Sequence, residues 1–143
     1  MDDRLPFNSN VTDCGGMPFM PFKILIVDDE PNIVIPLQFL MEQNGYDVMV
    51  AQSGEEALEM LYRYKPDLTL LDIMLPGIDG YEICEIIRLK PELRAIKVIF
   101  LTAKGRDINI AKGLALGADA YITKPFSNVK VVNTVKTLLD DGQ

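Results

Sequence analysis

Five short apolar runs, separated by longer segments of helical spacing, constrain this chain more than any other feature. The runs are Lys23–Val27 (KILIV), Asp47–Ala51 (DVMVA), Leu68–Leu71 (LTLL), Val98–Leu101 (VIFL) and Ala120–Ile122 (AYI). Several are β-branched and nearly all apolar, as expected of strands covered on both faces within a parallel sheet. The intervening spacing predicts helices over Asn32–Gln43, Glu55–Tyr64, Tyr81–Leu89, Arg106–Leu116 and Asn128–Leu139. Ser53, Asp79 and Ser127 stand where N-caps of the second, third and fifth helices belong. Pro36 falls inside the first helix, where it removes a hydrogen bond and predicts a kink. Strands alternating with helices stack as right-handed βαβ units. The expected fold is therefore α/β, a doubly wound, flavodoxin-like five-stranded parallel sheet of order 2-1-3-4-5 with five helices. In such a sheet a ligand binds beyond the carboxyl ends of strands 1 and 3, at the switch point.

The length, 143 residues and 16.0 kDa, suits one core. Residues 1–21 have no period and hold Pro6, Pro18, Pro21 and the pair Gly15-Gly16, so they read as a flexible N-terminal arm. They lack the charged start and apolar core of a signal peptide, although Phe7, Phe19 and Phe22 are able to pack back on the domain. The domain proper is expected over 22–143. A net charge of -7 argues against a nucleic-acid or anionic-membrane binder, both of which need a basic face. No apolar stretch reaches the roughly 18 residues of a membrane span. Cys14 and Cys84 form neither a disulfide framework nor a metal-ligand spacing, which places the chain in a reducing cytoplasm; Cys84 reads as a small core residue. Histidine is absent, which excludes Ser-His and Cys-His couples, a histidine metal site and a phosphohistidine carried by this chain.

What matters for function is how the runs end. Strand 1 ends in Asp28-Asp29-Glu30, strand 3 in Asp72, strand 4 in Thr102-Ala103, and strand 5 in Thr123-Lys124-Pro125-Phe126. Adjacent parallel strands bring these ends to one rim. Asp72 by itself, in LLDIMLPGIDG at 70–80, would be a turn cap, and Pro76-Gly77 are turn formers. Beside Asp28 and Asp29 it becomes one of three converging carboxylates. Two such charges about 4 Å apart repel by roughly 4 kcal/mol at an effective dielectric near 20, so either a proton or a cation must intervene. A hard ion such as Mg2+ suits oxygen donors of this kind. With the ammonium of Lys124 and the hydroxyl of Thr102, the set can stabilise a transferring phosphoryl group, and Asp72 would be its nucleophile. Glu30 reads as a solvated charge at a helix start.

Four segments, VDDEP at 27–31, LLDIMLPGIDG at 70–80, LTAK at 101–104 and GADAYITKPFS at 117–127, stand in an order and spacing that resembles response-regulator receiver domains of two-component signalling. The resemblance runs from Phe22 to about Leu139 and includes the chemotaxis-regulator-like fold. It implies Asp72 as the phosphorylation site of a phosphoprotein carrying an aspartyl phosphate. It implies Asp28 and Asp29 as the acidic pair that organises Mg2+, with Asp29, Asp72 and the backbone carbonyl of Met74 as direct ligands. Thr102 and Lys124 would bind the phosphoryl oxygens, and the Lys124–Pro125 bond is expected to be cis. Tyr121 is implied as an aromatic switch, its ring moving as Thr102 is drawn inward.

The implied activity is phospho-acceptance, with self-phosphorylation and self-dephosphorylation only, and no enzyme turnover. The donor would be a histidine kinase or phosphotransfer protein. The output would be a changed helix 4–strand 5–helix 5 surface controlling an unnamed downstream protein, with homodimerisation through that face as one form and no direct nucleic-acid or membrane contact. A second reading is the receiver of a DNA-binding transcription regulator whose effector domain is absent from this chain. Against it, NVKVVNTVKTLLDD in helix 5 lacks an acidic-then-basic interface pattern. A third, a haloacid-dehalogenase-like phosphatase, would need a second acid two residues after the nucleophile, where this chain has Met74. Met74 offers no group to position water and Lys104 adds a cation, so slow self-hydrolysis of the phosphoryl group is expected.

Overall fold

A computed structural model describes residues 21–103 and 110–141. The strands are β1 (Lys23–Val27), β2 (Asp47–Ala51), β3 (Leu68–Asp72), β4 (Lys97–Ala103) and β5 (Ala120–Lys124). The helices are α1 (Pro31–Gln43), α2 (Gly54–Tyr64), α3 (Gly80–Leu89), α4 (Ile110–Ala115) and α5 (Asn128–Asp141). All strand pairs are parallel, in the order β2-β1-β3-β4-β5. The expected topology is the observed one.

The sheet separates two apolar layers. On one face Leu25, Val27, Leu71, Val98 and Phe100 pack with Ala57 and Leu61 of α2 and Ile83, Cys84 and Ile87 of α3. On the other, Ile24, Ile26, Leu70, Ile99, Leu101 and Ile122 meet Val34, Leu37 and Met41 of α1 and Val131, Val135 and Leu139 of α5. β1 after Lys23 and the whole of β3 are therefore buried, because neighbouring residues point into different cores. Burial holds the Cys84 thiol proton, with the pKa raised to about 11, in keeping with its core position.

Helix starts follow the expected caps. Ser53 accepts from the Glu56 N–H, Ser127 accepts from the Lys130 N–H, and Asp79 forms a reciprocal capping box with Glu82. Pro31 opens α1 at the position where a missing N–H costs nothing, and the helix continues through Pro36 to Gln43. Strands β3, β4 and β5 each run past their apolar stretches to include Asp72, Thr102-Ala103 and Thr123-Lys124. The ladder hydrogen bonds thus carry the polar ends to the carboxyl rim of the sheet. The expected arm, except its last residue, lies outside the described residues, as do Cys14, Lys104 and the first residues of the expected fourth helix.

Candidate functional site

Asp28 follows β1 directly, and its side chain is fully buried. It is held from two sides: Oδ1 accepts the Glu30 N–H at 3.0 Å, and Oδ2 accepts from Lys124 Nζ at 2.9 Å. Asp29, next in sequence, is exposed at the rim. Asp72 closes β3 and is 6% exposed. Its Oδ1 accepts the Met74 N–H at 3.2 Å, so Asp72 does cap its own turn. That role uses one oxygen and leaves the carboxylate in the site. A Cβ on Gly80 would collide with the backbone of Asp72 and Ile73. The start of α3 can press against the end of β3 only because residue 80 has no side chain.

Oxygen atoms of Asp28, Asp29 and Asp72 lie within 4.8 Å of one another. Against these three carboxylates stands Lys124, whose Nζ is 3.7 Å from Asp72 Oδ1 and 3.8 Å from Glu30 Oε1 in addition to its bond with Asp28. The Lys124–Pro125 peptide is cis. Glu30 is mostly exposed, and its side chain makes no cap bond to α1. The electrostatic deficit shows at Asp72. Burial raises its pKa to about 6; Lys124 opposes the rise, while Asp28 and Asp29 add to it. A proton there does part of the work of a missing positive charge. The donor set is all oxygen, closely grouped and under-neutralised, which fits a hard divalent cation.

Thr102 sits on β4 one residue beyond the partner of Asp72, since Asp72 is in register with Leu101. Its hydroxyl is buried and has no hydrogen-bond partner among the described residues, an arrangement that native interiors seldom leave unexplained. Phe100 pairs with Tyr121 and Thr102 with Thr123. Tyr121 and Thr102 are accordingly diagonal neighbours on one face of the sheet, and Tyr121 is 41% exposed. Met74 stands at the rim with 59% of its surface exposed. Every residue singled out from the strand ends is therefore on the same edge, with Lys104 outside the described residues.

A family model, the response regulator receiver domain, matches residues 24–136. The chain belongs to the response-regulator receiver family. A solved chain described as a response regulator from Chloroflexus aurantiacus is 38% identical, with TM-score 0.81, covering 85% of this chain and 99% of that one. The receiver domain of a signal transduction histidine kinase from Syntrophus aciditrophicus is 37% identical, with TM-score 0.78, covering 84% and 91%. The receiver domain of a sensor histidine kinase from Pseudomonas aeruginosa, solved with magnesium coordinated in its active-site cleft, is 26% identical, with TM-score 0.77, covering 85% and 99%. Receiver domains are signalling phospho-acceptors that bind Mg2+ at an acidic site, and this receiver has an acidic cluster at the matching rim. None of its described helices is long and apolar enough to cross a membrane.

Sequence reasoning missed the scaffolding around the receiver's site. Gly80 against the backbone of Asp72 and Gly54 against that of Ile78 are close approaches in which a Cβ would not fit, and Gly77 takes a φ of +75 that residues with side chains rarely adopt. The signal is a glycine at each helix start: the spacing predicts helices from Glu55 and Tyr81, one residue after Gly54 and Gly80, and Gly77 reads as a turn former.

Proposed function

We propose that Asp72 accepts a phosphoryl group from a histidine kinase or phosphotransfer protein in the cytoplasm. The observation that carries this reading is the meeting of three carboxylates from β1 and β3 with Lys124 from β5. One Asp72 oxygen attacks phosphorus, forming an O–P bond as the donor's N–P bond breaks, and the bonding pair leaves with the donor imidazole. Asp28, Asp29 and Asp72, with the Met74 carbonyl, would hold Mg2+, which when bound supplies positive charge against the phosphoryl oxygens. Lys124 contributes a second, fixed positive charge, already aimed at Asp72 through its bond to Asp28. The Thr102 hydroxyl, without a partner among the described residues, donates to a phosphoryl oxygen.

The response is a shift of Thr102 toward the phosphoryl group and of Tyr121 into the space behind it. The bonds to Thr102 and Lys124 exist only in the phosphorylated form, and that difference is what biases the equilibrium. The surface it changes spans α4, β5 and α5, where Leu114, Tyr121 and Val129 are exposed by 50%, 41% and 69%. Apolar groups so placed suit a protein partner or a second copy of the chain, and the net charge of -7 disfavours direct nucleic-acid contact. The modified residue can be mapped by borohydride trapping of the phosphorylated protein. Reduction of an acyl phosphate at Asp72 yields homoserine in the peptide that contains LLDIMLPGIDG. Homoserine at another aspartate, or none in phosphorylated protein, contradicts the assignment.

A further inference from the structure

At the amino-terminal end of the sheet, opposite the acidic cluster, Arg88 of α3 ties together two separate segments, 94–96 before β4 and 117–119 before β5. Its Nε donates to Gly117 O at 2.8 Å, and Nη1 donates to Ile96 O at 2.7 Å and Arg94 O at 3.0 Å. Nη2 donates to Asp119 Oδ2 at 2.7 Å. The same Asp119 oxygen accepts the Val98 N–H at 2.8 Å, and the Asp119 N–H donates to Val98 O at 2.8 Å. Asp119 is thus fastened to the start of β4 by both its backbone and its carboxylate, and Arg88 orients the carboxylate. Gly117, at φ +104, leaves room for this: a Cβ there would lie 2.7 Å from Arg88 Cγ.

β5 needs such a fastening. Among the described residues it is an edge strand paired with β4 alone, and Ile122 is the one residue of its five that is fully buried. A strand with so little buried side chain is weakly specified in register by packing. Lys124 lies five residues beyond Asp119, about 17 Å along an extended strand. A two-residue slip would keep the same face inward and move the ammonium by about 7 Å, well out of reach of Asp28. The four acceptors match the planar, multi-donor guanidinium and not a single ammonium.

We propose that Arg88 is a positioning residue for phosphoryl transfer: by fixing the entry of β5 against β4, it places Lys124 at the acidic cluster. The inference rests on the reading of Asp72 and Lys124 given above, and two readouts separate the fates of the two. The first is structural. In Arg88→Met, the backbone amide resonances of Thr123 and Lys124 shift, while those of Val27 and Leu71 on the inner strands stay in place. Unmoved Thr123 and Lys124 amides overturn the inference whatever the chemistry shows.

The second is kinetic, with acetyl phosphate at saturating Mg2+ and a temperature below melting of every variant. Arg88→Met and Arg88→Lys slow phosphorylation on the order of tenfold, the scale of a small misplacement of a catalytic group. In a Lys124→Met background the same changes slow it no further, because the two act through one step. Equal slowing in both backgrounds shows a general loss of fold and overturns the inference. A wild-type protein that takes up no phosphoryl group defeats the phospho-acceptor reading instead, and the amide shifts still decide what Arg88 does to Lys124.

Discussion

Thr102 and Met74 are the two residues at the rim whose chemistry is least explained by folding. A buried hydroxyl with no partner costs about 1–3 kcal/mol against a satisfied one, and Thr102 carries such a hydroxyl. Valine has nearly the same shape without the polar atom. Thr102→Val is expected to raise the denaturation midpoint of the unphosphorylated protein while slowing phosphorylation by acetyl phosphate. A variant that is less stable and equally fast would show that the hydroxyl has a structural role only. Met74, exposed and aliphatic, cannot orient a water toward phosphorus. Met74→Asn should therefore shorten the lifetime of the aspartyl phosphate, followed as loss of the phosphorylated mass over time. An unchanged lifetime would remove residue 74 from the account of hydrolysis.

At the scale of elements, the strand and helix pattern was legible because each face of the sheet has its own core. That requirement buries β1 after Lys23 and all of β3, and gives α2 and α3 one buried side each. The strand ends were less legible. Asp72, Thr102 and Lys124 do not look like strand residues by polarity, yet the ladder includes them, since its bonds are made by backbone groups. Helix starts were read one residue late at Gly54 and Gly80, because glycine signals a break, whereas here it admits Ile78 and Asp72 at close range. The acidic cluster could be anticipated from strand order alone. The Arg88–Asp119 contact could not, as 31 residues separate its partners and neither belongs to an apolar period. The capping box of α3 gives a test at this scale. Asp79→Ala should cost about 1 kcal/mol of stability in denaturant unfolding, and a variant as stable as wild type would show that α3 is held by its packing alone.

For the whole molecule, the site is a place where folding works against electrostatics. Asp72 has its pKa raised to about 6, chiefly by burial and then by the neighbouring carboxylates, against the pull of Lys124. The folded protein therefore holds this proton more tightly than the unfolded chain. The resulting stability is fully present below about pH 4 and is lost as pH rises through about 6, on the order of 3 kcal/mol in all. In chelator, Asp72→Asn should match wild type near pH 4 and exceed it at pH 7.5. The same gap at both pH values would contradict the shift. Mg2+ added at pH 7.5 should stabilise wild type more than the variant, because it binds the folded carboxylates.

The proposed activity of this receiver is acceptance of a phosphoryl group on Asp72 with Mg2+. Intact mass after incubation with acetyl phosphate, with and without Mg2+, on wild type and Asp72→Asn, tests it most directly. One added phosphoryl group is expected in wild type with Mg2+, little or none without it, and none in Asp72→Asn. An equal gain in the variant, or no gain in wild type from acetyl phosphate or from a phosphorylated histidine donor, would contradict it.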